Sequence, residues 1–279
     1  MQTVYIGNTL VNDVMLGSQR MDDVTRNTGN ITAEYLVLAG GAAGGSNGGN
    51  GAGGLLSGSL TLLGNTIYQV YVAPRVGGTS DNTKGNDSYF TGSNAYLYAF
   101  GGGNGADYNS VRATVGGSGG GGTNNSGGDY GGKNGIAGQG NAGGDGAPDA
   151  SRYGGGGGGA ATAGGNGSST IGGNGGNGKQ SAIDGTLQYY AGGGAGCRNL
   201  LTPNVYGTPG LGAPSVGSSA RDNSGSGNNP RDSATYAGSG YVVIRYLGNA
   251  IATGGIIVKD GDYTVHKFSQ TGSAIFYLN

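Results

Sequence analysis

Most of what stabilises ordinary globular chains is scarce in this sequence. Of 279 residues one is cysteine, one is histidine, six are proline and none is tryptophan. A single cysteine, Cys197, excludes an internal disulfide framework. Charge is sparse and balanced, with 14 Lys+Arg against 15 Asp+Glu. No basic run exceeds two residues, so clustered cations for phosphate neutralisation are missing and nucleic-acid binding is not expected. No apolar stretch approaches the roughly 18 residues of a membrane-spanning helix. The opening MQTVYIGN has neither a basic start nor an apolar core, so no secretion signal of the usual kind is expected. No segment carries a convincing helical period.

What is present in excess is glycine. Between Gly101 and Gly196, 39 of 96 residues are glycine, so this block dominates the chain. It contains GGSGGGG at 116–122, GGGGGG at 154–159, GGNGGNG at 172–178 and AGGGAG at 191–196, and a smaller block spans Gly40 to Gly54. Such stretches read either as flexible linker or as an ordered array of extended threefold helices, with about three residues per turn and about 3.1 Å rise. The punctuation favours order. Tyr130, Tyr153, Ile136, Ile171, Ile183, Leu187, Tyr189 and Tyr190 interrupt the glycines, and a period of three runs through Gly172, Gly175 and Gly178. Asn104, Asn125, Asn134, Asn166, Asn174 and Asn177 are expected at turns between short helices. Collagen is excluded, since its repeat is unbroken and proline-rich. Ordering such a block costs about 1–2 kcal/mol per residue with little apolar burial, so a conventional core must clamp its ends.

That core is expected from strands at both ends of the chain. EYLVLA at 34–39 is apolar on both faces after Glu34 and reads as a strand covered on both sides. Leu60–Leu63 and Thr66–Ala73 read as an antiparallel hairpin, Thr79–Thr91 as loop, and Asn94–Phe100 as a strand. In GYVVIRYL at 240–247, Val242, Ile244 and Tyr246 point one way and Tyr241, Val243 and Arg245 the other. The tail reads as a three-stranded meander over 256–259, 263–268 and 274–278. At the start, Tyr5-Ile6-Gly7 and Met15-Leu16-Gly17 mark a repeat of period ten, each unit a strand, a turn and a strand. It serves either for docking onto another chain, through Tyr5, Ile6, Leu10, Val14, Leu16 and Val24, or as a hairpin packed on the main domain. The expected fold is all-β: an antiparallel β-sandwich with an inserted array of packed polyglycine II helices. Residues 1–30 form the docking segment, 31–248 the glycine-rich domain, and 249–279 C-terminal strands on the sandwich.

Catalytic signals are weak, and no enzyme activity is expected. His266 lies in a predicted strand and reads as structural; Cys197 reads as a small buried residue. GGGGGG at 154–159 is followed by no GK[ST], so it is not a phosphate loop. The Asp-Gly pairs at 145–146, 184–185 and 260–261 match no calcium-loop spacing, and neither metal nor cofactor is expected.

EYLVLAGG at 34–41, GSGYVVIRY at 238–246 and the tail GDYTVHKFSQTGSAIF at 261–276 together resemble the glycine-rich domain of many bacteriophage tail and tail-fibre proteins. The resemblance covers nearly the whole chain, though its strand segments are more extensive at both ends than in fibre-tip adhesins. It implies a virion location after assembly in the host cytoplasm, other tail or fibre subunits as partners, homotrimers as one arrangement, and a host surface protein or polysaccharide as receptor. The alternative is a purely structural virion component, a fibre connector or decoration protein. Loops between glycine helices then present Tyr108, Arg112, Asp129, Tyr130, Asp149, Arg152, Tyr153, Tyr189, Tyr190 and Tyr206, a mixture of rigid aromatic and directional polar groups suited to recognition.

Overall fold

The computed structural model describes residues 4–6, 9–11, 15–16, 19–20, 29–45, 47–77, 83–107, 111–124, 131–148, 151–198, 205–230 and 235–279. Near the start, β1 (Val4–Ile6) pairs antiparallel with β2 (Thr9–Val11), and β3 (Met15–Leu16) with β4 (Gln19–Arg20). The period-ten repeat is thus two successive short hairpins. Of the expected docking residues, Tyr5, Ile6, Leu10 and Leu16 lie on β1 to β3, while Val14 and Val24 fall outside the described residues.

The strands that follow are β5 (Ile31–Leu38), β6 (Leu55–Leu62), β7 (Thr66–Val72), β8 (Ser88–Gly92), β9 (Ala95–Ala99), β10 (Lys179–Ser181), β11 (Gln188–Tyr190), β12 (Tyr241–Leu247), β13 (Ala252–Thr253), β14 (Ile256–Asp260), β15 (Tyr263–Phe268) and β16 (Gly272–Leu278). One sheet has the order β14-β15-β12-β5-β6, the other β13-β16-β7-β8-β9, and every pairing in both is antiparallel. The chain is all-β: no helix occurs among the described residues, and so none long and apolar enough to cross a membrane.

Strand alternation explains the core. Ala33 and Val37 of β5 and Val242, Ile244 and Tyr246 of β12 meet Tyr68, Val70 and Val72 of β7, Phe90 of β8 and Phe276 and Leu278 of β16 in one buried cluster. Tyr68 stacks on Phe90 at 5.0 Å, and Phe276 meets both rings edge-on. Each large side chain so buried contributes about 1.5–3 kcal/mol. The other faces of β5 and β12, carrying Leu36, Leu38, Tyr241 and Val243, form a second cluster with Leu55, Ile183, Tyr190 and Val265. EYLVLA is therefore covered on both sides, as its continuous apolar character requires, and the two faces of YVVIRYL divide as the alternation predicts.

Three expectations are corrected. β6 and β7 are consecutive but do not pair: β6 joins β5, while β7 joins β16 and β8 in the other sheet. The crossing occurs at Asn65, in the left-handed region at φ 53°, and Leu63 N–H donates to the Tyr68 hydroxyl at 2.8 Å. The tail is not one meander, because β14 and β15 extend the first sheet and β16 crosses to the second. Part of the expected loop, 88–91, belongs to strand β8 (Ser88–Gly92), which buries Phe90 and Ser88.

The glycine material leaves the sheets in two excursions, residues 39–54 between β5 and β6 and residues 100–240 between β9 and β12. Its backbone groups follow a bonding rule with a period of three. Along Gly154–Gly159, residues 154 and 157 donate to Cys197 and Gly194, 155 and 158 to Gly122 and Gly119, and 156 and 159 to Gly165 and Thr162. The carbonyls of the same six accept in turn from Gly173 and Gly176, from Gly49 and Ala52, and from Gly144 and Asn141. One glycine segment thus donates to three neighbouring segments and accepts from three others, and all twelve of its backbone groups are paired. Residues 48–54 repeat the rule: 48, 51 and 54 donate to Ala106, Gly103 and Phe100, 49 and 52 to Gly155 and Gly158, and 50 and 53 to Asn228 and Gly225.

Such spacing demands glycine. A Cβ on Gly156 would fall on the carbonyl of Asn174, and one on Gly157 on that of Asn50, both far inside the 3.0 Å that real Cβ atoms respect. Asn104, Asn174 and Asn177 are not the turn residues expected of them. Asn174 and Asn177 lie within a bonded segment, where their side-chain oxygens accept from Thr208 and Leu211 N–H at 2.7 and 3.0 Å. Asn104 is buried and bonds Thr114. None of these three has positive φ. They satisfy backbone donors or bury within the array. Asn125 lies outside the described residues.

Candidate functional site

Each excursion has an end next to the strands and an end far from them. The chain leaves β5 at Leu38, reverses near Gly44 and Gly45, both at positive φ (91° and 86°), and returns at Leu55. The region of Asn47 is therefore remote from the sheets. Other segments meet it there. Gly48 N–H donates to Ala106, Ala106 to Gly121, Gly122 to Gly144, Gly154 to Cys197, and Cys197 to Asn47. Asn47 Nδ2 donates to Arg152 O at 2.8 Å, Ala147 N–H to Tyr153 O, and the Tyr206 hydroxyl to Pro230 O at 3.2 Å. The described residues on either side of the connections at 108–110, 125–130, 149–150, 199–204 and 231–234 thus all lie at one far end.

Most of the expected contact residues lie in or beside these connections. Tyr108, Asp129, Tyr130 and Asp149 themselves lie outside the described residues, but the residues flanking them are at the far end. Arg112 is there and exposed. Arg152 is half-buried and adopts φ 64°, a left-handed backbone that costs a non-glycine residue about 1–2 kcal/mol. Two expectations fail. Tyr153 is 4% exposed, with the Arg198 guanidinium 5.5 Å over its ring, and packs into the array. Tyr190 is fully buried in the second apolar cluster. Neither has surface with which to touch another molecule. Tyr206 is half-buried and Cys197 is its bridge partner. Tyr189 is half-buried on β11, at the sheet end rather than the far end.

The sequence matches the family described as "Glycine-rich domain" over residues 18–247, most of the chain. The chain belongs to this glycine-rich domain family. Comparison with curated proteins and with solved structures gave no match. The family span takes in both excursions and ends on the last residue of β12, while β13 to β16, which complete both sheets, lie beyond it.

Two buried titratable groups, Asp184 and His266, serve packing. Asp184, 8% exposed, accepts from the Tyr190 hydroxyl at 2.9 Å, Gln188 Nε2 at 3.1 Å and Thr186 N–H at 3.0 Å, with the Tyr241 hydroxyl at 3.4 Å. Burial, then the neighbouring carboxylate, push both phenols well above the usual tyrosine range, so they stay neutral donors. This clasp fastens the β10–β11 hairpin over the first sheet, a feature the sequence reading missed. An Asp-Gly turn between Ile183 and Tyr190 was its visible signal. His266 is fully buried on β15, its Nδ1 2.8 Å from Gly254 O and its Nε2 3.0 Å from the Tyr246 hydroxyl. A proton on Nδ1 satisfies both contacts with a neutral ring, and burial holds its pKa below the usual histidine range. Cys197 is buried in the array, whereas His266 faces the sheets.

Proposed function

We propose that the chain is a bacteriophage tail protein, a receptor-binding adhesin at a fibre or tail tip that holds variable loops at the end of a stiff scaffold. In this reading the two sheets form a β-sandwich and the glycine segments are polyglycine II helices clamped by it. At about 3.1 Å per residue, a six-residue segment carries its loop about 19 Å from the strands. The observation that carries the reading is that the chain ends flanking five connections converge at the far end, with Arg112 exposed among them. A scaffold whose interior consists of backbone tolerates change only where side chains project, which is at these loops. The resemblance of EYLVLAGG, GYVVIRY and the HKF tail to phage tail proteins supplies the virion setting. The paired hairpins β1–β2 and β3–β4 are the docking segment toward another tail subunit.

The test uses virions that carry this chain. Antibodies raised against the purified protein decorate the distal tail, and purified protein competes with virions for host cells. Arg112→Ala and Arg152→Gly assemble normally but weaken adsorption. Decoration elsewhere on the particle, or variants that adsorb normally while wild-type protein fails to compete, contradicts the attachment role and leaves a connector or decoration protein.

A further inference from the structure

The two sheets differ in how their outer faces are covered. The β10–β11 hairpin lies over the first, whereas nothing among the described residues covers the second. On that bare face Tyr71, Tyr89 and Tyr98 stand in one row across β7, β8 and β9, with ring centroids 5.5 and 5.9 Å apart and planes within 18° of parallel. Tyr96 stacks on Tyr98 at 6.3 Å and is 80% exposed, so its other ring face is open. The next row carries Gln69 and Thr91. The outward side chains of β7, β8, β9 and β16 are tyrosine, isoleucine, glutamine, threonine and serine, and none is charged. At the rim the Tyr98 hydroxyl donates to Asp87 at 2.9 Å, which raises the Tyr98 pKa and keeps it neutral.

We propose that this tyrosine face is a binding site for a neutral glycan. The lack of charge argues against an anionic polymer or a strongly charged peptide, which would find no counter-charge here. The hydroxyls of Tyr71, Tyr89 and Tyr96, the Gln69 amide and the Thr91 hydroxyl make no hydrogen bond to any described residue. An apolar protein face laid over them would bury these groups unpaired, at about 1–3 kcal/mol each. A pyranose chain instead offers hydroxyls to pair with them and C–H faces to lie on the open ring of Tyr96. The stacked tyrosines hold one another upright, so little side-chain freedom is lost on binding. The site is separate from the far-end loops and does not depend on the attachment role.

The full chain is passed over an immobilised panel of neutral hexose and N-acetylhexosamine oligosaccharides beside uronic- and sialic-acid oligosaccharides. Neutral members are retained with little dependence on salt, and Tyr96→Ala and Tyr89→Ser each weaken retention by about tenfold. Arg112→Ala leaves retention unchanged, which separates this site from the far-end loops. Tyr96 is exposed enough that its loss leaves the melting temperature near wild type. The proposal is overturned if no neutral glycan is retained, if only acidic ones are, or if both tyrosine variants bind as well as wild type. It is equally overturned if the protein self-associates through this face, seen as dimerisation that Tyr96→Ala abolishes.

Discussion

At Gly156 the space for a side chain is occupied by the carbonyl of Asn174, and at Gly173 by that of Gly165. At Gly165, by contrast, the nearest atom to a built Cβ is Asn174 N at 3.2 Å, and the residue is exposed. Gly156→Ala and Gly173→Ala are therefore expected to cost about 1–3 kcal/mol or more, as overpacking does. Gly165→Ala costs less than about 1 kcal/mol. Thermal unfolding of the three variants checks this ordering. His266 gives a second expectation. Its folded pKa lies below the usual value of about 6.5, so between those two values the unfolded chain binds more protons than the folded one. The histidine's contribution is complete above about pH 6.5 and is lost as pH falls toward the folded pKa. Melts between pH 5 and 8 should show this decline, with a slope of up to about 1.4 kcal/mol per pH unit, and His266→Gln should flatten it. That His266 and Cys197 are structural was legible from their sequence settings. That Tyr153 and Tyr190 are buried was not, because a tyrosine among glycines looks alike whether it caps the array or fills it.

Among the elements, the strands with continuous or cleanly alternating apolar residues, β5 and β12, were legible with both their faces. Pairing was not. Leu60–Leu63 and Thr66–Ala73 read as a hairpin because Gly64-Asn65 has turn chemistry. That same turn carries the chain from one sheet to the other, and nothing local distinguishes the two outcomes. Strand β8 was hidden because Ser88 and Gly92 flank only one strongly apolar residue, Phe90, whose partner Tyr68 on the neighbouring strand β7 is 22 residues away in sequence. The β10–β11 hairpin depends on Asp184 in the same way, through Tyr190 and Tyr241, far apart in sequence. Asp184→Ala leaves two buried phenols without their acceptor and is expected to cost about 1–3 kcal/mol each. Limited proteolysis should then cut near Leu187, which is 65% exposed, well before the rest of the chain unfolds. Cleavage at the wild-type rate would show that the clasp does not hold the hairpin.

For the molecule as a whole, the stabilising groups are divided between two materials. The strands bury aromatic and aliphatic side chains; the described glycine segments bury backbone and pair its donors and acceptors with neighbouring segments, some adjacent along the chain, as 141–144 and 162–165 are to 154–159, and some far from it, as 49–52 and 194–197 are. The period of three at Gly172, Gly175 and Gly178 hinted at this, and Gly175 and Gly178 do donate to Thr208 and Leu211, three residues apart. Which segments neighbour which was out of reach, since all glycine runs offer the same backbone. The most direct test is amide hydrogen exchange on the intact protein, followed in peptides that cover residues 153–160. The bonding along Gly154–Gly159 predicts exchange there as slow as in β5 and β12. Exchange at the rate of an open chain in that stretch, with protection confined to the strands, would contradict it.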